Sequence, residues 1–230
     1  IMPSLVGSEM CIRDRYKDDW SMPGKVYAAV LPDDLSGFDE EHQLSLQVIR
    51  ENMLKNHGYY KVTEDGVDQC LISCDDGVYR FTPPESEEQD WTVEKLVDEA
   101  ASDAVLVDLD QDGEKELVLI SPFHGEHIYF YKKIDGAYKK VYTYDTADFA
   151  HAIYGGTLLG KPAVIIGHRK GERNLLLFTW EQEKGQYQVE ILDQDCGPAN
   201  VFKYERGTEE VLISTCLLYT SDAADDSLRV

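Results

Sequence analysis

Three observations predict an all-β fold, and within it an incomplete β-propeller of four-stranded antiparallel blades. A glycine recurs at constant spacing, with Gly66, Gly113, Gly160 and Gly207 each 47 residues apart. An apolar triplet follows each glycine at the same offset, at 70–72, 117–119, 164–166 and 211–213. Between these markers run short β segments punctuated by Gly and Asp turns, and no window of helical period is long enough to cross back over a sheet. A period of 47 residues with four strands per unit is close to the length of a propeller blade. A β-sandwich is the competing architecture, but it has no need of so regular a repeat.

The elements follow in order. The first stretch, LVGSEMCIRDR, has no apolar periodicity at 2 or 3.6 and is not a signal peptide. Back-translated, EMCIRDR resembles the transposon adapter of sequencing libraries, and CLLYTSDAADD near the other end resembles its reverse complement. Residues 1–15 and 216–230 are therefore expected to be adapter-like, leaving 16–215 as a piece of a longer gene. Residues 16–55 read as the outer part of a blade, with LSLQVI as its last strand. Blades follow at 57–101, 102–148 and 149–197, and another begins at 198–215. The third aligned unit is the plainest, with HAIYGG, PAVIIG, NLLLFTW and YQVEIL as four strands joined by short polar turns.

Composition narrows the partners. The formal net charge is −22, and the two adapter-like ends barely alter it. Nucleic acid and anionic membranes both require a basic footprint, so neither is expected as a partner. No apolar run is long enough to span a bilayer. With Cys11 and Cys216 set aside, Cys70, Cys74 and Cys196 form neither a disulfide framework nor a zinc-ligand spacing.

The first turn of the 102–148 unit reads VDLDQDGEKELVLI, with carboxylates at alternate positions, then Gly113. Such a loop can fold its oxygens around one hard cation such as calcium. It is not an EF-hand, because position 12 is Leu119 and the flanks read as strands. This D-x-D-x-D-G-x-x-E turn between β runs resembles the FG-GAP or VCBS repeat family over roughly residues 57–215. The resemblance implies a β-propeller whose first turns bind structural Ca2+, with Asp108, Asp110, Asp112 and Glu116 as side-chain ligands and the Glu114 carbonyl as a fifth. The corresponding turns TEDGVDQ, TLLGKPA and YERGTEE depart from the pattern, so at most one good site is expected. The alternative is a solvated acidic turn.

Histidines supply the second clue. All but His42 fall in connections that emerge on one face of a meander, opposite the acidic turn. That rim gathers His57, His124, His127, His151, His168, Arg169 and Arg173, with Tyr154 just inside the inner strand. Imidazoles transfer protons or bind transition metals near neutral pH, and a guanidinium holds a carboxylate or enolate in bidentate fashion. Each residue taken singly also reads as a loop residue with a satisfied hydrogen bond. AHAIYGG and GHRKGER resemble loops of propeller-type sugar dehydratases and lyases, in which a channel histidine takes a proton from carbon.

These readings converge on a calcium-associated propeller that binds a carbohydrate or protein ligand at the histidine-rich face. The alternative is a lyase or dehydratase acting on a sugar or uronate, with His151 or His168 as general base and Arg169 stabilising the resulting anion. A purely architectural repeat module is the third reading.

Overall fold

The computed structural model describes residues 4–6, 21–86 and 89–216. Every regular element among them is a β-strand, so no described helix is long and apolar enough to cross a membrane. The chain forms two compact units, 1–104 and 105–230.

In the first unit, β1 (Ser4–Val6), β2 (Gly24–Ala29) and β3 (Gln47–Met53) form a three-stranded sheet in that order. The next sheet is a meander of β4 (Tyr59–Glu64), β5 (Val67–Cys74), β6 (Gly77–Thr82) and β7 (Thr92–Val97). A core of Val26, Met53, Cys70, Ile72, Cys74, Tyr79 and Phe81 is closed by Ile49, Trp91 and Val93. Two details differ from the sequence reading. Only the second half of LSLQVI lies in β3, which runs on to Met53 because Ile49 and Met53 both reach the core. Ser4–Val6, inside the adapter-like stretch, pairs antiparallel with β2, since an open sheet edge accepts any extended backbone. The rest of the two adapter-like ends, apart from Cys216, lies outside the described residues.

The second unit holds two meanders. One is β8 (Asp103–Val107), which starts at the unit boundary, with β9 (Glu116–Ser121), β10 (His127–Ile134) and β11 (Ala137–Tyr144). The other is β12 (Ala150–Leu158), β13 (Lys161–His168), β14 (Leu175–Glu181) and β15 (Gln186–Asp193). A hairpin of β16 (Pro198–Arg206) and β17 (Glu209–Cys216) follows. The expected all-β class and four-stranded antiparallel sheets are thus present.

Backbone geometry explains the recurring glycine. Asp65 and Gly66 both have positive φ (51° and 78°), as do Leu159 and Gly160 (51° and 76°). Each pair is a two-residue connection between directly opposed residues, Glu64 with Val67 and Leu158 with Lys161. These are type I′ hairpin turns, whose twist matches that of the strands and whose second position strongly favours Gly. Gly113 and Gly207 also lie at positive φ.

The apolar triplets have an equally physical cause. They fall in the second strand of each sheet, and β9 is buried along its whole length, while β5 and β13 are buried over their last five and six residues. A strand covered on both faces reads as a continuous apolar run. In β17, which has only β16 beside it, the triplet is half covered and Ile213 is 49% exposed.

Within the second unit, an aromatic seam joins the two meanders. Phe130 on β10 meets Phe178 on β14 at 5.3 Å and Tyr187 on β15 at 4.7 Å between ring centroids. Tyr142 and Tyr144 on β11 add contacts to Tyr187 at 5.1 Å and Phe178 at 5.4 Å. Beyond β12 and β13, Ala152, Ile165, Leu175 and Val201 form a further cluster with Tyr154, Leu177 and Leu212.

Phe130 is fully buried. Phe130→Ala is expected to lower the unfolding free energy by about 3–5 kcal/mol, as for other large core aromatics. Urea denaturation measures this, and Phe178→Ala added to it should cost less than the sum of the two single changes.

Candidate functional site

In the second unit, three connections converge at one end of the meanders: 122–126 after β9, 145–149 before β12 and 169–174 after β13. Main-chain hydrogen bonds tie them together. Ala150 N donates to Gly125 O at 2.9 Å, and Ala147 N to Glu126 O at 3.2 Å. Arg169 N donates to Phe149 O and Lys170 N to Asp148 O, both at 3.0 Å. Loops held by their own backbones place side chains reproducibly.

Those side chains form a ring cluster flanked by cations. His124 lies 4.8 Å from His151, 4.8 Å from Phe149 and 4.1 Å from Phe123, measured between ring centroids. The Arg169 guanidinium carbon sits 5.3 Å above the Phe149 ring, and Lys170 Nζ is 5.0 Å from it. Both distances are in the cation–π range. His124 and Phe149 each hold positive φ, 49° and 57°, a conformation uncommon for side chains of this size.

His151 has a defined tautomer. Its Nδ1 lies 2.7 Å from the Ala199 carbonyl oxygen, which can only accept, so Nδ1 carries the hydrogen and Nε2 the basic lone pair. Burial lowers its pKa below the ordinary 6.5; the Ala199 carbonyl opposes this and the Arg169 charge adds to it.

Of the other predicted residues of the second unit, four do not join this ring cluster. His168 is 1% exposed; its Nδ1 donates to Lys170 O at 3.0 Å and its Nε2 accepts from Asn174 N at 3.0 Å. With both nitrogens spent on its own loop, His168 does not fit the role of general base expected for it, and instead holds the 169–174 connection in shape. Tyr154 points along β12 toward the opposite end, its hydroxyl donating to Thr157 O at 3.4 Å and its ring against Phe202. It does not line the rim. His127 pairs with Asp145 at 3.1 Å and stacks on Tyr129. Arg173 is paired with Asp195. His57 belongs to the first unit, where its Nδ1 lies 3.2 Å from Ser102 O. Nearby Asp103 has its carboxyl pushed up to about 7 by burial, against the Ala104 N–H that favours its charged form.

Sequence reading missed Phe149, Lys170 and Lys132. The first two are neighbours of residues already singled out, and the signal was adjacency: FAH and HRK each put an aromatic or a cation next to a chosen histidine.

The acidic turn at the other end of β8 and β9 holds a surprise. Asp108, Asp110 and Glu116 each bring an oxygen within 4.8 Å of the others. One feature fits a metal: Asp108 Oδ1 is buried without a hydrogen-bond partner. The other oxygens are claimed. Gly113 N donates to Asp108 Oδ2 at 3.1 Å, Leu109 N to Glu116 Oε2 at 2.7 Å, and Glu114 N to Asp112 Oδ1 at 2.9 Å. Lys132 from β10 extends its ammonium onto Asp110, to Asp112 Oδ2 at 3.0 Å and to Glu116 Oε1 at 3.5 Å. Calcium needs six to eight oxygens, so as folded the turn does not fit the calcium expected of it. Burial disfavours the Lys132 charge, but these carboxylates outweigh it and hold its pKa above the ordinary lysine value.

Comparison with known proteins adds the fold. No family model and no curated protein matches this chain. Among solved structures, it is similar to a protein from Bacteroides uniformis provisionally assigned as a 6-phosphogluconolactonase, at 14% identity and a TM-score of 0.52. The match covers 84% of this chain but only 59% of that one. Identity this low is a likeness of fold alone.

The His151 pKa shift sets a pH dependence. A folded-state pKa below the unfolded value means that the unfolded chain binds the proton more readily, so stability present at neutral pH is lost as pH falls through 6.5 toward the folded value. The raised carboxyl of Asp103 acts in the opposite direction over the same range, so the His151 contribution is read as a difference: from neutral pH down to about pH 5 the urea midpoint of the parent should fall relative to that of His151→Gln.

Proposed function

We propose that this chain is part of a β-propeller that binds an acidic carbohydrate at the rim of its second unit. The observation that carries this is a pair of cations beside one aromatic ring. Arg169 and Lys170 flank Phe149, and among the described residues neither is in an ion pair. In a chain with 44 acidic residues against 22 basic ones, cations ordinarily find carboxylates, as Arg80, Lys95 and Lys203 do. A guanidinium stacked on a ring keeps its edge donors for a carboxylate. The ring cluster of Phe123, His124 and Phe149 beside these cations supplies apolar surface for the carbon skeleton of a sugar. The propeller itself is supported by the 47-residue repeat, the sheet-on-sheet packing and the likeness of fold. Likeness of the VDLDQDG turn to FG-GAP or VCBS repeats points the same way.

A second reading, elimination from a uronate, is favoured by the His151 tautomer. A neutral imidazole with its lone pair on Nε2 can take a proton from carbon, and Arg169 would stabilise the enolate that forms. His168 has no part in it.

Calorimetry against acidic and neutral oligosaccharides of equal length tests the binding reading. Acidic ones should bind preferentially, and Arg169→Ala should weaken them by about tenfold or more, the scale of one charge-assisted hydrogen bond. Equal affinity for neutral oligosaccharides, or indifference to Arg169→Ala, would sink it. New ultraviolet absorbance from an unsaturated sugar, lost in His151→Gln, would establish elimination.

A further inference from the structure

We propose that Lys132 is the resident cation of the acidic turn, an ammonium that takes the place of a divalent metal and makes the fold indifferent to calcium. The inference is independent of the sugar-binding reading, because the turn lies at the opposite end of its sheet from the rim.

Four carboxylates, Asp108, Asp110, Asp112 and Glu116, crowd a turn of nine residues. Mutual repulsion of that many charges, with Glu116 wholly buried, favours a cation inside the turn beside the main-chain N–H donors. Lys132 reaches three of the four from the neighbouring strand β10. Its placement is over-determined. The ammonium lies 5.6 Å from the Trp180 ring on β14, and the Tyr187 hydroxyl on β15 donates to Glu116 Oε1 at 3.3 Å. The lysine thus fastens the turn and stands where it meets the adjacent sheet. Calcium and the ammonium would use the same oxygens of Asp110 and Glu116, so they exclude one another.

The test uses the full chain. Its melting temperature should be the same in chelator and in millimolar calcium, and terbium, a calcium mimic with oxygen preference, should give no emission sensitised by Trp180 or Tyr187. In Lys132→Met the melting temperature should fall in chelator and recover with calcium, with terbium emission appearing. Calcium affinity should rise by about tenfold or more over the parent, the scale of removing one charge-assisted hydrogen bond. Asp110→Asn added to Lys132→Met should abolish the recovery, separating this turn from nonspecific binding by an acidic chain. Lys132→Arg, which keeps the charge, should remain indifferent. A parent that gains stability from calcium, or that sensitises terbium as strongly as Lys132→Met, would overturn the proposal. The parent measurements decide even where Lys132→Met does not fold.

Discussion

The seam of Phe130, Phe178 and Tyr187 is the contact on which the rest of the second unit depends. An antiparallel sheet whose second strand is buried on both faces cannot stand alone, because half of its apolar surface would face water. β9 and β13 are both of this kind. Pressing the two meanders together through interleaved aromatic rings covers one face of each sheet and sets the distance between them. The connections at one end are then near enough to exchange main-chain hydrogen bonds, and His124, Phe149 and His151 come within ring contact. The other end is governed by the same spacing, since Tyr187 both packs on Phe130 and donates to Glu116. Rim and acidic turn are two ends of one packing solution.

Charge is allocated unevenly over this scaffold. Individual surface ion pairs contribute little to stability, so the carboxylates around Arg80 and Lys95 are better understood as neutralising each cation locally. Around the 169–170 pair the neighbour is a ring instead, with the guanidinium and the ammonium both within cation–π range of Phe149.

Much of this fold was legible because its causes are local. A two-residue connection between right-twisted strands demands positive φ, and glycine answers that demand wherever the turn recurs. Burial on both faces writes itself as an apolar triplet. The rim was legible in part: His124, His151 and Arg169 follow from knowing which connections share an end of the meander. His168 and Tyr154 did not follow, because the direction of a side chain and the partners of its nitrogens depend on three-dimensional detail that spacing does not carry. The Asn174 main-chain N–H that occupies His168 Nε2 is a property of loop shape, not of residue type. Lys132 was the least accessible, lying 22 residues from Asp110 on an adjacent strand, where nothing in its local sequence marks it. Alternating carboxylates announce a need for positive charge, and they do not say whether an ion or a side chain supplies it.

Tight turns have a consequence for how the chain acquires its structure. With β4 joined to β5, and β12 to β13, through two residues each, hairpins close with little loop entropy to overcome, and each sheet draws its strands from consecutive stretches of chain. Order can therefore begin in one hairpin and spread along its own sheet, and in the second unit from one meander to the other through the aromatic seam. Cooperativity in such a molecule is short-ranged. In the second unit a weakened seam would loosen the two meanders first, and partially folded chains would retain intact hairpins while losing the face between them.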